Sequence, residues 1–160
     1  GYGRIASRLE IGANAHAYHP NTDLFAAVGD ELKKRDLHCI LVDEAQFLTR
    51  EQVLQLCRIC DEVNIPVLCY GLRTDFLGQL FPGSAALLAL ADALVELKAV
   101  CECGRKATMN LRVDAEGHAV TSGAQTEIGG NDRYIALCRR HFFARLQESE
   151  ARQLSLGLPR

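Results

Sequence analysis

The chain has no excess of charge of either sign: 18 Lys and Arg stand against 20 Asp and Glu, a formal net charge of −2. That removes the electrostatic footprint by which a nucleic-acid-binding domain is recognised. No apolar run approaches the ~20 residues needed to cross a bilayer, so nothing in these residues implies a membrane partner. No secretory signal is visible in them, and the seven cysteines therefore point to a reducing compartment, where thiols bind metal or fill cores. Internal repeats and low-complexity tracts are absent as well. What is present, 48% hydrophobic and 24% charged residues over 160 positions, suits one globular domain with room for a small appended module.

The most informative stretch is CILVDEAQF, Cys39 to Phe47. Four consecutive apolar residues, Cys39 to Val42, predict a strand buried on both faces, as in a parallel sheet covered by helices. Asp43 and Glu44 fall where that strand emerges at its carboxyl end. Open α/β sheets bind ligands in the crevice outside those ends. A carboxylate there can hold Mg²⁺ through oxygen, and its neighbour can take a proton from a substrate hydroxyl. The same two acids could instead begin the next loop and helix, and the strand alone leaves both readings open.

Around this strand the pattern is that of an α/β core. Asn21 or Thr22 is placed to cap a helix running to about Arg35, with Leu24, Phe25, Val28 and Leu32 on one face. Thr49 starts a second helix, with Glu51 and Gln52 in its first turn and Val53, Leu56, Cys57, Cys60 and Val63 at helical spacing. Pro66 opens the strand PVLCYGL, made parallel to the first by the intervening helix, one βαβ unit with a right-handed crossover. RTDFLGQLFPGS reads as a loop, Ser84 to Ala91 as a short apolar helix, and Ala93 to Val100 as containing another strand. From Cys101 the character changes. Extended segments around Ala107–Val113, with a turn at Glu116–Gly117, form a small β module, residues after about Arg139 are helical, and SLGLPR is a tail. The organisation is a core over 1–100, a module over 101–145 and a tail over 146–160.

Cys101, Cys103, Cys138 and His141 make two close pairs separated by a β-rich stretch, the layout of a zinc ribbon. Gly104 permits the tight turn that a metal knuckle needs. C-R-R-H has regular spacing, whereas C-E-C is one residue shorter than the usual C-x₂-C; unconnected buried thiols are the other reading. Cys57 and Cys60 also show C-x₂-C spacing, but on the apolar face of a helix, where cysteine packs as a small hydrophobe. Cys39 and Cys69, inside apolar strands, are expected in the core. His16, His19, His38 and His118 have no partner pattern.

Taken in order, DEAQF, PVLCYGLRTDF, LVELKAVCECGRKA and IGGNDRYIALCRRH resemble the cytosolic, zinc-containing thymidine kinases, from about Gly3 to His141. The resemblance implies a parallel-sheet core of the P-loop kinase type, a zinc ribbon and a loop, the lasso, that closes over the nucleoside. It implies transfer of phosphate from ATP, with Mg²⁺, to the 5′-hydroxyl of thymidine and often deoxyuridine. It also implies a cytoplasmic homotetramer inhibited by dTTP. Glu44 matches the general base and Asp43 the acid supporting Mg²⁺. Phe47, Leu72, Phe76 and Phe81 match positions lining the nucleoside pocket. Tyr134 matches the lasso tyrosine, and backbone groups around Ile128 and Gly129 match those that hydrogen-bond the base edge. Cys101, Cys103, Cys138 and His141 match the ligands of a structural zinc. Such a loop makes physical sense, since a flat base needs an apolar slot with a few oriented polar groups and exclusion of water.

Two features depart from the family pattern. Asn110 stands where some relatives have a threonine near the nucleoside methyl group. More consequentially, no G-x-x-x-x-G-K-[ST] occurs in these residues, although phosphoryl transfer of this class relies on that loop to cradle phosphates and Mg²⁺. In the family it lies upstream of the segment that Gly1–Arg8 resembles, in which Ser7 and Arg8 approach the phosphate end of the site. Gly1 is not Met, and GYGRIASR reads as the middle of a loop, so an N-terminal portion of the natural protein is expected to be absent. Two other classes share parts of this pattern. A motor ATPase or helicase also ends a strand in Asp-Glu and would show nucleic-acid-stimulated ATP hydrolysis; a catalytically silent zinc-ribbon binding module would not respond to thymidine. These 160 residues are expected to show no kinase turnover by themselves, and an assay with thymidine and MgATP that gave robust product would refute this.

Overall fold

The computed structural model describes residues 2–6, 12–123, 125 and 133–155; Ser7, Arg8, Ile128 and Gly129 lie outside the described residues. The chain divides into two compact units, Gly1–Gly71 and Leu72–Arg160. The class is mixed α/β, with a small parallel sheet in the first unit and antiparallel pairs elsewhere.

In the first unit, strands β1 (Tyr2–Ala6) and β2 (Gly12–His16) pair antiparallel. Helix α1 spans Leu24–Leu32. Its cap is Asp23, whose carboxylate accepts the Ala26 N–H at 2.9 Å, and not Asn21 or Thr22. Thr22 is occupied in the preceding turn, its hydroxyl accepting the His19 N–H at 2.8 Å, which leaves Asp23 as the first side chain able to reach the helix. The helix also stops at Leu32, short of Arg35.

Strand β3 (Ile40–Val42), helix α2 (Arg50–Val63) and strand β4 (Val67–Cys69) form the predicted β-α-β unit. β3 and β4 are parallel, with Ile40 beside Val67 and Val42 beside Cys69. Thr49 caps α2 through a capping box: its hydroxyl accepts the Gln52 N–H at 3.2 Å, and the Gln52 side chain accepts the Thr49 N–H at 3.1 Å. The same Gln52, fully buried, donates its amide to the carbonyls of His19 at 2.7 Å and Thr22 at 3.0 Å. One side chain thus starts α2 and fixes the segment before α1. The helix buries Val53, Leu56 and Ile59, with Cys57, Cys60 and Val63 half-buried beside them.

The strand itself departs from the prediction. Val42 is buried, but Leu41 is 69% exposed and Cys39 is exposed, so β3 is not covered on both faces and Cys39 is not a core residue. An apolar run reports a tendency to be buried, whereas burial on both faces needs a layer on each, and α2 packs against β4 of this sheet.

The second unit begins with a loop closed by a bridge between Thr74 and Leu80. Helix α3 spans Pro82–Leu90, with Pro82 at its first position, where no N–H is missed. The strand expected in Ala93–Val100 shrinks to β5 (Ala99–Val100), paired with β6 (Lys106–Ala107). Residues 91–98 are exposed and unladdered within the unit; β propensity without a partner strand makes no ladder. β7 (Met109–Val113) pairs antiparallel with β8 (Arg133–Leu137). The predicted turn closes at Asp114–Gly117, where Gly117 has a positive φ of 88°. Helix α4, Arg139–Ser155, follows. Met109, Leu111, Val113, Ala119, Leu137 and Phe142 form the core of this unit together with Cys101 and Cys138.

Because Thr49 satisfies a helix-terminal donor and orients Gln52, Thr49→Ala is expected to lower stability by about 1 kcal/mol. Urea unfolding should show a lower midpoint at unchanged slope.

Candidate functional site

The two acids leave the sheet through a local interruption of its ladder. Tyr70 donates its N–H to the Val42 carbonyl at 2.8 Å and accepts the Ala45 N–H at 2.8 Å. In a regular parallel ladder one residue bonds to two that are two apart. Here they are three apart, so β3 carries one extra residue, a bulge that lifts Asp43 and Glu44 out of the ladder. Glu44 absorbs the extra length in the left-handed conformation, φ 53° and ψ 36°. Its N–H is taken by the Asp43 carboxylate at 3.0 Å, and its carbonyl accepts the Phe47 N–H at 3.0 Å in a single 3-10 turn, Ala45–Phe47. Both acids are exposed, and Phe47 beside them is 42% exposed.

Three residues that the sequence did not single out surround Glu44. The Tyr18 hydroxyl donates to the Glu44 carbonyl at 2.8 Å and reaches that of Asp43 at 3.3 Å. Burial, with Glu44, Cys69 and Asp43 adding to it, pushes this hydroxyl up to about 12, so it stays a donor through the neutral range. The Gln46 side-chain amide donates to Glu44 Oε2. Gly71 makes room for Gln46, since a Cβ there would lie 2.5 Å from Gln46 Oε1 and 3.0 Å from its backbone nitrogen. Tyr18 is 26 positions from Glu44 and no local pattern marks it; the Gln two places after Glu44 was visible as a neighbour but not as a partner.

In the second unit, Leu72 is partly exposed, its carbonyl accepting the Ser84 hydroxyl at 2.6 Å, while Phe76 and Phe81 are buried. Phe76 lies beneath the Arg112 guanidinium, 4.6 Å from its ring centroid, a cation–π contact. Asp75 folds this loop, its Oδ1 accepting the N–H groups of Leu77 and Gln79 at 2.9 and 2.8 Å and its Oδ2 the Gln125 amide at 2.9 Å. Asn110 on β7 is half-buried, and Tyr134 on β8 is 53% exposed. Asp75 and Arg112 were likewise missed, their partners Gln125 and Phe76 lying 50 and 36 positions away.

Cys101, Cys103, Cys138 and His141 converge, with their ligand atoms all within 4.8 Å of one another. Cys101 Sγ lies 3.4 Å from His141 Nδ1, and Cys103 Sγ 3.9 Å from Cys138 Sγ. A tetrahedral ion with bonds of about 2.0–2.3 Å requires ligand separations of about 3.5–3.8 Å, so this donor set fits one metal ion. The short C-E-C knuckle closes because the Gly104 N–H reaches the Cys101 carbonyl at 2.8 Å, with Gly104 at φ 78°. Backbone N–H groups of Cys103 and Cys138, with smaller help from His141, draw the Cys101 thiol down to about 6, toward the thiolate that a metal needs. By contrast, burial, then Cys60 and Cys57, push Cys69 up to about 11, which keeps it a neutral packing thiol. Asp114, Glu116 and His118 also converge, but Asp114 Oδ1 is engaged in accepting the His118 N–H at 2.8 Å to close the turn.

Most of the chain is similar to known proteins. The family described as thymidine kinase matches residues 1–142. A thymidine kinase of Novosphingobium aromaticivorans is 65% identical over 138 residues, 86% of this chain and 72% of that protein. One from Jannaschia sp. is 58% identical over 142 residues, 89% of this chain and 73% of its own length. One from Yersinia pseudotuberculosis is 55% identical over 142 residues, covering 89% and 72%. On the matched motifs and on this identity over most of its length, the chain belongs to the thymidine kinase family.

Proposed function

We propose that this protein transfers the γ-phosphoryl group of ATP to the 5′-hydroxyl of thymidine, giving dTMP and ADP for nucleotide salvage and DNA synthesis. The observation that carries the proposal is the exposed carboxylate of Glu44, lifted out of the sheet at the carboxyl end of β3. In the reaction, the Glu44 carboxylate takes the 5′-hydroxyl proton as that oxygen bonds to the γ-phosphorus, and the bond from phosphorus to the β,γ-bridging oxygen breaks. Asp43 would help hold Mg²⁺, which when bound would supply charge neutralisation on the phosphates. Phosphoryl transfer leaves the protein little covalent work, so positioning of these groups is the main contribution.

Phe47 of the first unit is proposed as a nucleoside-contacting position, and so, each by its match to the family, are Leu72, Phe76, Phe81 and Asn110 of the second; Ile128, Gly129 and Tyr134 are proposed for the base edge and Ser7 and Arg8 for the phosphates. Asn110 is the residue placed to tune thymidine against deoxyuridine. The core is of the P-loop kinase type, although no phosphate-binding loop occurs in these residues. Cys101, Cys103, Cys138 and His141 hold a structural Zn²⁺, four ligands leaving no open position for catalysis. A homotetramer in the cytoplasm, inhibited by dTTP, completes the proposal.

In a protein that also carries the phosphate-binding loop these residues lack, Glu44→Gln is expected to lower the rate of thymidine phosphorylation by roughly 10²–10⁴-fold, as for loss of a general base, with thymidine binding little changed. Near-full turnover would place the base elsewhere. Thymidine and dTTP should each raise the melting temperature, by an amount equivalent to about 2.7 kcal/mol at a hundred times the dissociation constant; a flat response to both would remove the nucleoside site. Elemental analysis should find about one zinc per chain, falling in Cys138→Ser together with the melting temperature. A metal-free preparation of undiminished stability would refute the structural role.

A further inference from the structure

A non-glycine residue in the left-handed region is strained and persists only where its surroundings over-determine it. Glu44 is such a residue, and what surrounds it is specific. Tyr70 pins the backbone on either side of the acid pair, through Val42 and Ala45. That fixes the ends of the bulge but not the peptide between them. The Tyr18 hydroxyl bonds that peptide's carbonyl directly, 2.8 Å from the Glu44 oxygen. The carboxylate at the other end of the same residue is taken on one oxygen by the Gln46 amide. Gln46 in turn sits against Gly71 at a distance that admits no side chain.

We infer that Tyr18, Gln46 and Gly71 are positioning residues for Glu44: Tyr18 holds its backbone in the left-handed turn, Gln46 aims its carboxylate, and Gly71 leaves the space in which Gln46 does so. The inference rests on the reading of Glu44 as the general base. An isolated glutamate at a strand end has several rotamers, and each costs the reaction whenever it is populated. Holding Oε2 by an amide donor leaves the second carboxylate oxygen as the one that meets the substrate hydroxyl. A displacement of about 1 Å in such a group can cost up to about a hundredfold in rate. Tyr18 acts at a distance from the substrate, through the main chain. Its own place is set by the Gln52 amide, which anchors the carbonyl of the adjacent His19 at 2.7 Å.

The test is a set of cycles on kcat and KM for thymidine, in a protein that also carries the phosphate-binding loop these residues lack. Tyr18→Phe removes the donor with no change of shape, Gln46→Met removes the amide at similar length, and Gly71→Ala drives a methyl into Gln46. Each is expected to lower kcat about tenfold while KM for thymidine moves less than about twofold, with melting temperatures recorded to separate unfolding from misplacement. In a Glu44→Gln background, where no base remains to be positioned, the same substitutions should cost nothing further. Unchanged kcat in Tyr18→Phe and Gln46→Met, when Glu44→Gln alone lowers turnover by the expected factor, would overturn the positioning inference and leave the base assignment standing. So would an undiminished tenfold loss in the Glu44→Gln background, which would mean these residues act on something else. Full turnover in Glu44→Gln alone would overturn both.

Discussion

The acid site depends on a register mismatch in a sheet of two short strands. Tyr70 bonds to Val42 and Ala45 where a regular parallel ladder would join residues two apart. The surplus residue has to go somewhere, and Glu44 takes it up with a positive φ. A regular ladder would have directed one of the two acids toward each face of the sheet. The bulge instead removes both from the pleat and ties them to each other, Asp43 accepting the N–H of Glu44. Adjacent carboxylates can then share one solvent-facing location while the backbone groups on both sides remain satisfied.

Support for that bulge traces back through residues of no evident chemistry. Thr49 and Gln52 close the capping box that starts α2. The same Gln52 amide anchors the carbonyls of His19 and Thr22. Those two residues bracket a turn whose preceding residue, Tyr18, reaches the Glu44 carbonyl. A helix-start signal is therefore coupled to the geometry of an acid 8 positions upstream of Gln52 and to a tyrosine 34 positions upstream. Gln52, the buried member of this set, would otherwise be a buried amide without partners, which is costly.

Several local patterns are legible because one short stretch carries the physics. The helix start at Thr49, the parallel pairing of β3 with β4 and the turn at Glu116–Gly117 all follow from such stretches. So does the meeting of Cys101, Cys103, Cys138 and His141, whose two close pairs were visible although their distance across the chain was not. Where a residue's role depends on a partner far along the chain, periodicity is silent: Tyr18 with Glu44, Gln125 with Asp75 and Arg112 with Phe76 carry no signature. Burial was misjudged for a related reason. Leu41 and residues 91–98 are apolar enough for a covered strand, yet whether a layer or a ladder partner exists is a property of the surroundings. At α1 the error was one of competition, with Thr22 and Asp23 both good caps and the preceding turn claiming the first.

The shortened C-E-C knuckle illustrates how a departure in spacing can be absorbed without changing chemistry. Removing one residue from a C-x₂-C loop would turn one sulfur away if the backbone kept ordinary angles. Gly104 enters the left-handed region immediately after Cys103, at no steric cost, and the turn closes back onto the Cys101 carbonyl. Cys101 and Cys138 are meanwhile embedded in the apolar cluster with Leu111, Leu137 and Phe142. An uncompensated thiolate in such surroundings would be costly, and backbone N–H groups that draw Cys101 toward the anionic form have value where a cation faces them. The same atoms that complete the core of this unit are thus prepared for a metal. Glycine does comparable work in the other unit, where Gly71 gives Gln46 its place beside Glu44. In one case the missing side chain permits a backbone angle, and in the other it clears the path of a neighbour's amide.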